Sequence, residues 1–203
     1  MSITLHKNDL PNGIDFGASV AIDTETLGLN PARDPLCLVQ LSKGDGNAHI
    51  VQLNRDTYDA PNLKKILSNN NILKIFHFAR FDLAVMKAYL KIDCTPVYCT
   101  RTASRLVRTY TDKHGLRDIC KELLNIDLNK QQQSSDWGAA TLSQEQLNYA
   151  AGDVLHLHAL KKKLDDMLVR ESRVELAQKC FEFLPARAEL DLAGWANVDI
   201  FEH

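Results

Sequence analysis

The segment Val20-Ala21-Ile22-Asp23-Thr24-Glu25-Thr26 sets two acids in an otherwise apolar and β-branched run. Such a run predicts a strand, and because side chains alternate along a strand, Asp23 and Glu25 point to the same face. Two like charges about 4 Å apart repel by roughly 4 kcal/mol at an effective dielectric constant of 20. Burial adds to this cost unless a cation offsets it. The segment therefore favours a pair of metal ligands, although two acids on an exposed strand face are the simpler alternative.

Composition limits the classes of protein to consider. The 203 residues suit one domain, and 45% hydrophobic with 25% charged residues is ordinary for a globular protein. No apolar run approaches the roughly 20 residues of a membrane span, and the N-terminus has no signal-peptide core, so we expect no membrane partner. The five cysteines are scattered, which argues against a zinc site or a disulfide framework.

The charge balance bears on the size of a nucleic-acid partner. A net charge of −2 argues against a protein that grips long nucleic acid through many phosphate contacts. It does not exclude a nuclease, since bound metals supply local positive charge. A short substrate is favoured.

The order of elements predicts an α/β fold. After a short strand and loop at 2–12, we expect strands at 19–26, 36–41, 49–53, 72–76 and 96–99. We expect helices at 61–67, 83–90, 100–110, 116–124 and 143–169, the last with a capping box of Ser143 and Gln146. This order predicts a mixed five-stranded sheet flanked by helices. Residues 1–180 are expected to form the domain, and 181–203 an aromatic tail that docks on it or on a neighbouring subunit.

Three further polar residues lie far from the first segment. Asp82 follows the strand at 72–76, and Tyr149 and Asp153 are four residues apart, which places them on one helix face. Singly, each has an ordinary explanation, as a helix-start acid or as a tyrosine packed in the core. Together with the first two acids, they can meet at one end of the sheet.

A site of four carboxylates without histidine or thiol ligands suits Mg²⁺ or Mn²⁺. Four negative charges balance two divalent ions, and two such ions can stabilise an in-line displacement at phosphorus. The reference pKa of a tyrosine is near 10, so Tyr149 is better suited to orient a water than to act as a strong base.

These segments resemble the three motifs of the DEDDy 3′–5′ exonucleases. Asp23-Thr24-Glu25-Thr26 matches the first motif, His77 through Asp82 the second, and Tyr149-Ala150-Ala151-Gly152-Asp153 the third. The segments 36–40 and 130–137 are also similar to ribonuclease D. The resemblance implies a ribonuclease H-like fold and a two-metal site with Mg²⁺ or Mn²⁺. It implies that the four acids bind metal and that, with the tyrosine, they are the catalytic residues: Asp23, Glu25, Asp82, Tyr149 and Asp153.

The remainder of the chain is too short for the helical repeats that follow the exonuclease domain in ribonuclease D. A single domain of this length, with the tail at 183–201, is most similar to the nano-RNase C group of oligoribonucleases. That resemblance implies short RNA substrates, dinucleotides above all, and a homo-oligomeric ring, an octamer, in the bacterial cytoplasm.

The resemblance also suggests residues that contact substrate. Leu29 matches an apolar wedge between the two terminal bases, with plain core packing as the alternative. His77 and Phe81 would contact the terminal sugar and base, or simply pack. Thr26 lies within the first motif, and Gln133 would reach the substrate phosphate. A basic stripe of Arg101, Arg105 and Arg108 is either a phosphate-attracting rim or a solvated helix face.

Three functions remain open on the sequence. The first is metal-dependent hydrolysis of short RNA from the 3′ end to 5′-mononucleotides, in the last step of RNA decay. The second is broader, ribonuclease D-like trimming of RNA ends, or of DNA. The third is an inactive scaffold that binds nucleotides. A scaffold has no physical reason to keep four mutually repelling acids, which speaks against the third.

Overall fold

A computed structural model describes residues 2–128 and 134–203 and shows one mixed sheet. In the described part of the chain the sheet has six strands: β1 (Ile3–Lys7), β2 (Ser19–Thr26), β3 (Leu36–Ser42), β4 (Ala48–Gln52), β5 (Leu73–Phe76) and β6 (Val97–Cys99). Their spatial order is β1-β4-β3-β2-β5-β6. The predicted mixed sheet is confirmed, but the predicted count of five is wrong, because β1 pairs parallel to β4 and extends the edge.

Strand β2 lies inside the sheet and joins its two halves. It pairs antiparallel with β3 and parallel with β5, and β3 and β4 form the predicted hairpin. The β5 pairing covers only Ser19–Ala21 of β2, so β2 continues beyond the ladder it shares with β5. The end of β2 that carries the two acids is therefore paired with β3 alone, and its other side is open.

Helices cover both sides of the sheet. They are α1 (Pro61–Leu67), α2 (Ala79–Leu90), α3 (Thr100–Val107), α4 (Leu116–Leu124), α5 (Gln144–Leu155), α6 (Leu157–Arg170) and α7 (Val174–Leu190). Helix α5 packs over β2, β3 and β4, while α2 packs against α7. None of the helices in the two described ranges combines the length and apolar character that a membrane crossing requires.

Several predicted element boundaries differ from the structure, since α2 begins at Ala79 and not at residue 83, and α3 ends at Val107 and not at residue 110. The single helix expected at 143–169 is two helices, because His156 has φ −106° and ψ −5°, which ends α5 and turns the chain into α6. Helix α7 extends through residues 180 and 181 and is followed by a short π-helical turn at Asp191–Trp195. The core includes Phe181 and Ala188, so the last helix packs on the rest of the fold.

Candidate active site

The acids of the first and third segments meet at the open end of β2. Asp23, Glu25 and Asp153 each offer a carboxylate oxygen, and these three oxygens lie within 4.8 Å of one another. The strand supplies two of them from one face, and α5 lays the third over that face. The three groups could hold one metal ion between them.

Asp82 approaches from the other side of β2. It lies in the first turn of α2, is 3% exposed, and accepts a 2.7 Å hydrogen bond from the Thr24 hydroxyl. Thr24 alternates with the two acids and therefore faces α2. Asp82 is not part of the three-oxygen group, but its charge raises the pKa of both Asp23 and Glu25, so it lies close to them.

The capping box predicted for α5 is present. The Ser143 hydroxyl accepts from the Gln146 backbone N–H at 3.2 Å, and the Gln146 side chain accepts from the Ser143 backbone N–H at 2.9 Å. This cap fixes where α5 begins, and so where Tyr149 and Asp153 project. The ring of Tyr149 packs on that of the buried Trp137 with centroids 5.9 Å apart.

Burial disfavours the charged form of every acid in this cluster, and repulsion from neighbouring acids adds to this at Asp23, Glu25 and Asp82. Burial, followed by the charges of Asp82, Asp153 and Glu25, raises the pKa of Asp23 well above its usual range. Burial and the neighbouring aspartates raise the pKa of Glu25 to about 9. Burial also raises the pKa values of Asp82 and Asp153 to about 7, although hydrogen bonds from Thr24 and Tyr149 act in the opposite direction.

The donor set fits a hard divalent cation. The cluster offers carboxylate oxygens, which Mg²⁺ and Mn²⁺ prefer, and no thiolate or imidazole belongs to it. Burial and the neighbouring acids raise the pKa values of Asp23 and Glu25, and a cation at these oxygens would favour their charged forms. Burial, followed by the nearby acids, raises the pKa of Tyr149 too, so its hydroxyl stays protonated at neutral pH.

A cleft of about 670 Å³ opens above the acids, and four of the five predicted substrate-contacting residues line it. Leu29 is 89% exposed, which excludes the alternative that it is a core residue. The loop that carries it is tightly packed, since a Cβ on Gly28 would lie 2.2 Å from Asp34 Oδ2. Thr26, His77 and Phe81 also line the cleft, whereas Gln133 lies outside the described residues.

His77 faces the cleft as a neutral side chain. Its Nδ1 lies 2.9 Å from the Thr100 hydroxyl, and burial, followed by the Arg101 charge, lowers its pKa to about 3. A neutral imidazole can exchange hydrogen bonds with a sugar hydroxyl, but it adds no positive charge to the cleft.

The structure adds one cleft residue that sequence reasoning missed, Phe78, and it separates the members of the predicted basic stripe. Phe78 has a left-handed φ of 73°, which turns its ring outward to 45% exposure, and the Arg101 guanidinium carbon lies 5.0 Å from the ring centroid. No sequence signal announces a left-handed phenylalanine. Of the basic stripe, Arg101 lines the cleft, while Arg108 is fully buried and pairs with Glu122, so Arg108 belongs neither to a rim nor to a solvated face.

Comparison with known proteins is consistent with this geometry. A family model described as 3′–5′ exonuclease matches residues 7–169. Ribonuclease D of Granulibacter bethesdensis is 32% identical over 155 residues, which cover 76% of this chain and 39% of the relative. The chain thus spans about two fifths of the length of such curated relatives.

Among solved structures, matches extend over the whole chain. The NrnC protein of Brucella melitensis with bound Mg²⁺ is 55% identical, covers 100% of both chains and has a TM-score of 0.96. The same protein bound to pGG is 56% identical, with coverage of 100% of this chain and 99% of that one and a TM-score of 0.97. The predicted α/β fold of the ribonuclease H-like exonucleases is confirmed, as is the resemblance to the nano-RNase C group.

Proposed function

The chain belongs to the 3′–5′ exonuclease family, and from that premise we propose that it is a metal-dependent exoribonuclease that hydrolyses short oligoribonucleotides, dinucleotides above all, to 5′-mononucleotides. The observation that carries this proposal is the cluster of Asp23, Glu25 and Asp153, whose oxygens lie within 4.8 Å of one another in the cleft. Asp82 completes the acids and Tyr149 stands beside them.

Each residue has a distinct role in this proposal. The four acids would hold two divalent ions, Mg²⁺ or Mn²⁺, which supply a water of lowered pKa and stabilise charge on the phosphate. The protonated Tyr149 hydroxyl would orient that water by hydrogen bonding, because its raised pKa makes it a poor base. Leu29 would separate the two terminal bases.

The walls of the cleft would position the rest of the substrate. Phe78 with Arg101 offers a stacking surface that bears a positive charge, and His77 offers a hydrogen bond to the terminal sugar. Thr26 and Phe81 would complete the contacts with the terminal nucleotide.

The preference for short RNA rests on the whole-chain relative, since B. melitensis NrnC was solved bound to pGG. Ribonuclease D relatives are more than twice as long as the matched segment, so their broader trimming activity is the alternative. A net charge of −2 also favours a substrate with few phosphates.

We also propose that the chain assembles into a homo-oligomer, an octamer in the ring form that the resemblance implies. Several large apolar side chains at the C-terminal end are exposed: Phe183, Trp195, Val198, Ile200 and Phe201. An exposed apolar surface of this kind is typical of a subunit interface.

Hydrolysis of 5′-labelled pGG and of matched 5-, 10- and 20-nucleotide RNAs, with Mg²⁺, with Mn²⁺ and with a chelator, tests the proposal. We expect metal-dependent hydrolysis with kcat/KM highest for the dinucleotide. Leu29→Ala should lower kcat/KM on the dinucleotide roughly tenfold, because truncation removes about 1–2 kcal/mol of apolar contact with the bases. Val169→Ala, at a residue 67% exposed on α6, is the matched control and should leave kcat/KM unchanged.

Two results would contradict parts of this proposal separately. Equal kcat/KM on the 20-nucleotide RNA would reject the short-substrate preference and favour ribonuclease D-like trimming. No hydrolysis of any RNA or DNA in either metal would reject the enzyme and favour a nucleotide-binding scaffold.

A further inference from the structure

Gln40 occupies an unusual position at the middle of β3. Every residue of β3 is buried, Gln40 is fully so, and neither the nitrogen nor the oxygen of its carboxamide has a hydrogen-bond partner among the described residues. Burial of an unpaired amide costs about 1–3 kcal/mol by protein mutational data. An apolar side chain would avoid that cost, so the glutamine at this position needs an explanation.

Strand register shows which groups Gln40 faces. It stands directly opposite Asp23 of β2 and, on its other side, opposite Ile50 of β4. Directly opposed residues of antiparallel strands share a face, with Cβ atoms about 4.5–5.5 Å apart. Its same-face neighbour Leu38 is apolar and, like Ile50, belongs to a buried cluster with Trp137.

Asp23 is the polar side chain directly opposite this amide, whereas Glu25 and Gln52 lie only diagonally across from it. The other same-face neighbour on β3, Ser42, already donates its hydroxyl to the Asn47 carbonyl at 2.7 Å. Among the neighbouring acids, Asp82 already accepts a hydrogen bond from the Thr24 hydroxyl at 2.7 Å. Within the described residues, no hydrogen bond is made to the Asp23 carboxylate, so an unused donor stands beside an unused acceptor.

We propose that Gln40 is a positioning residue, whose carboxamide N–H donates to the Asp23 carboxylate, directly or through one water, and holds its other oxygen towards the metal. This role rests on the proposed function, because it presumes a divalent cation at the acids. A neutral amide suits this role, because it orients the carboxylate without adding a cation that would compete with the metal. Because neither amide atom has a hydrogen-bond partner, the Gln40 carboxamide can rotate by 180° and turn its N–H towards Asp23 without breaking a hydrogen bond.

Binding of Mn²⁺ to the substrate-free protein tests this role by calorimetry. Gln40→Leu and Gln40→Met remove the amide and keep the volume apolar. We expect both to weaken Mn²⁺ binding 10–100-fold, the usual effect of losing a group that orients a metal ligand. The metal-free melting temperature should stay level or rise, since an unpaired buried amide has been removed.

Ser42→Ala is the matched control, at a buried polar residue two positions along the same face of β3. It should lower the melting temperature and leave Mn²⁺ affinity unchanged. Wild-type Mn²⁺ affinity in both Gln40 variants, or in Gln40→Met if Gln40→Leu does not fold, would overturn the positioning role and leave the metal site intact. Absence of Mn²⁺ binding to the wild-type protein would instead overturn the metal site itself, and the role of Gln40 with it.

Discussion

At the scale of residues, the four acids make the stability of the metal-free protein depend on pH. Glu25, at about 9, and Asp82 and Asp153, at about 7, have pKa values above the ordinary range near 4. At a pH between the ordinary and the raised pKa values, the native protein holds protons that the unfolded chain has lost. The free energy of unfolding therefore falls as pH rises through this range. We expect the metal-free melting temperature to fall from pH 5 to pH 9, and Mg²⁺ to restore it at the alkaline end, as scanning calorimetry would show.

Asp23→Asn provides the corresponding variant. Removal of one buried charge should raise the metal-free melting temperature at pH 8 and flatten its pH dependence, while hydrolysis falls by orders of magnitude. Asp56→Asn, at an exposed acid away from the cluster, should leave both the melting temperature and the rate of hydrolysis unchanged. A metal-free melting temperature that rises with pH would contradict the raised pKa values of the buried acids.

Part of the site can be predicted from the sequence, and part of it cannot. The sequence spacing of Asp23 and Glu25 on a strand, and of Tyr149 and Asp153 on a helix, predicts that each pair shares one face. The reason is that side-chain direction repeats every two residues in a strand and every 3.6 in a helix. The outward ring of Phe78 and the unpaired amide of Gln40 depend on a left-handed turn and on a cross-strand neighbour. Neither leaves a local pattern, so both required the structure.

At the scale of elements, the position of Tyr149 and Asp153 depends on where α5 begins. Loss of an N-cap hydroxyl costs about 1 kcal/mol, which corresponds to a shift of roughly 2–4 °C in a chain of this size. We therefore expect Ser143→Ala to lower the melting temperature by that amount. Ser68→Ala removes an exposed hydroxyl that bonds the Lys64 carbonyl at the end of α1, and should have a smaller effect. An unchanged melting temperature in Ser143→Ala would show that the cap does not fix α5.

Element boundaries are predictable where a local signal marks them. Pro61 marks the start of α1, and the hairpin of β3 and β4 follows from glycines between two apolar runs. The break at His156 has no such mark, because buried leucines continue at helical spacing after it: Leu157, Leu160, Leu164 and Leu168. Strand β1 joins the sheet through its pairing with β4, more than forty residues away, and hydrophobic periodicity does not reveal such a pairing.

At the scale of the whole molecule, the C-terminal turn is bound to the helix that carries Asp82. Asp191 pairs with Arg80 of α2 and with Arg187 of α7, and its carboxylate is 8% exposed. Arg80 and Arg187 also donate to the Ala196 carbonyl. The polar groups of this segment therefore hold it to its own chain, while several of its apolar side chains are left facing outward.

Those outward side chains carry the last prediction. Trp195 is 46% exposed and Phe201 is 75% exposed, and burial of such rings between subunits would contribute several kcal/mol of association free energy. We expect light scattering to give a mass near eight copies of the 22.8 kDa chain. Combined Trp195→Ser and Phe201→Ser should lower that mass, because both rings are removed from the proposed interface while the acids stay in place. Val169→Ser, at a comparably exposed apolar residue on α6, should not. A wild-type protein whose light scattering gives the mass of a single chain would contradict the proposed assembly, but it would not contradict the proposed metal site.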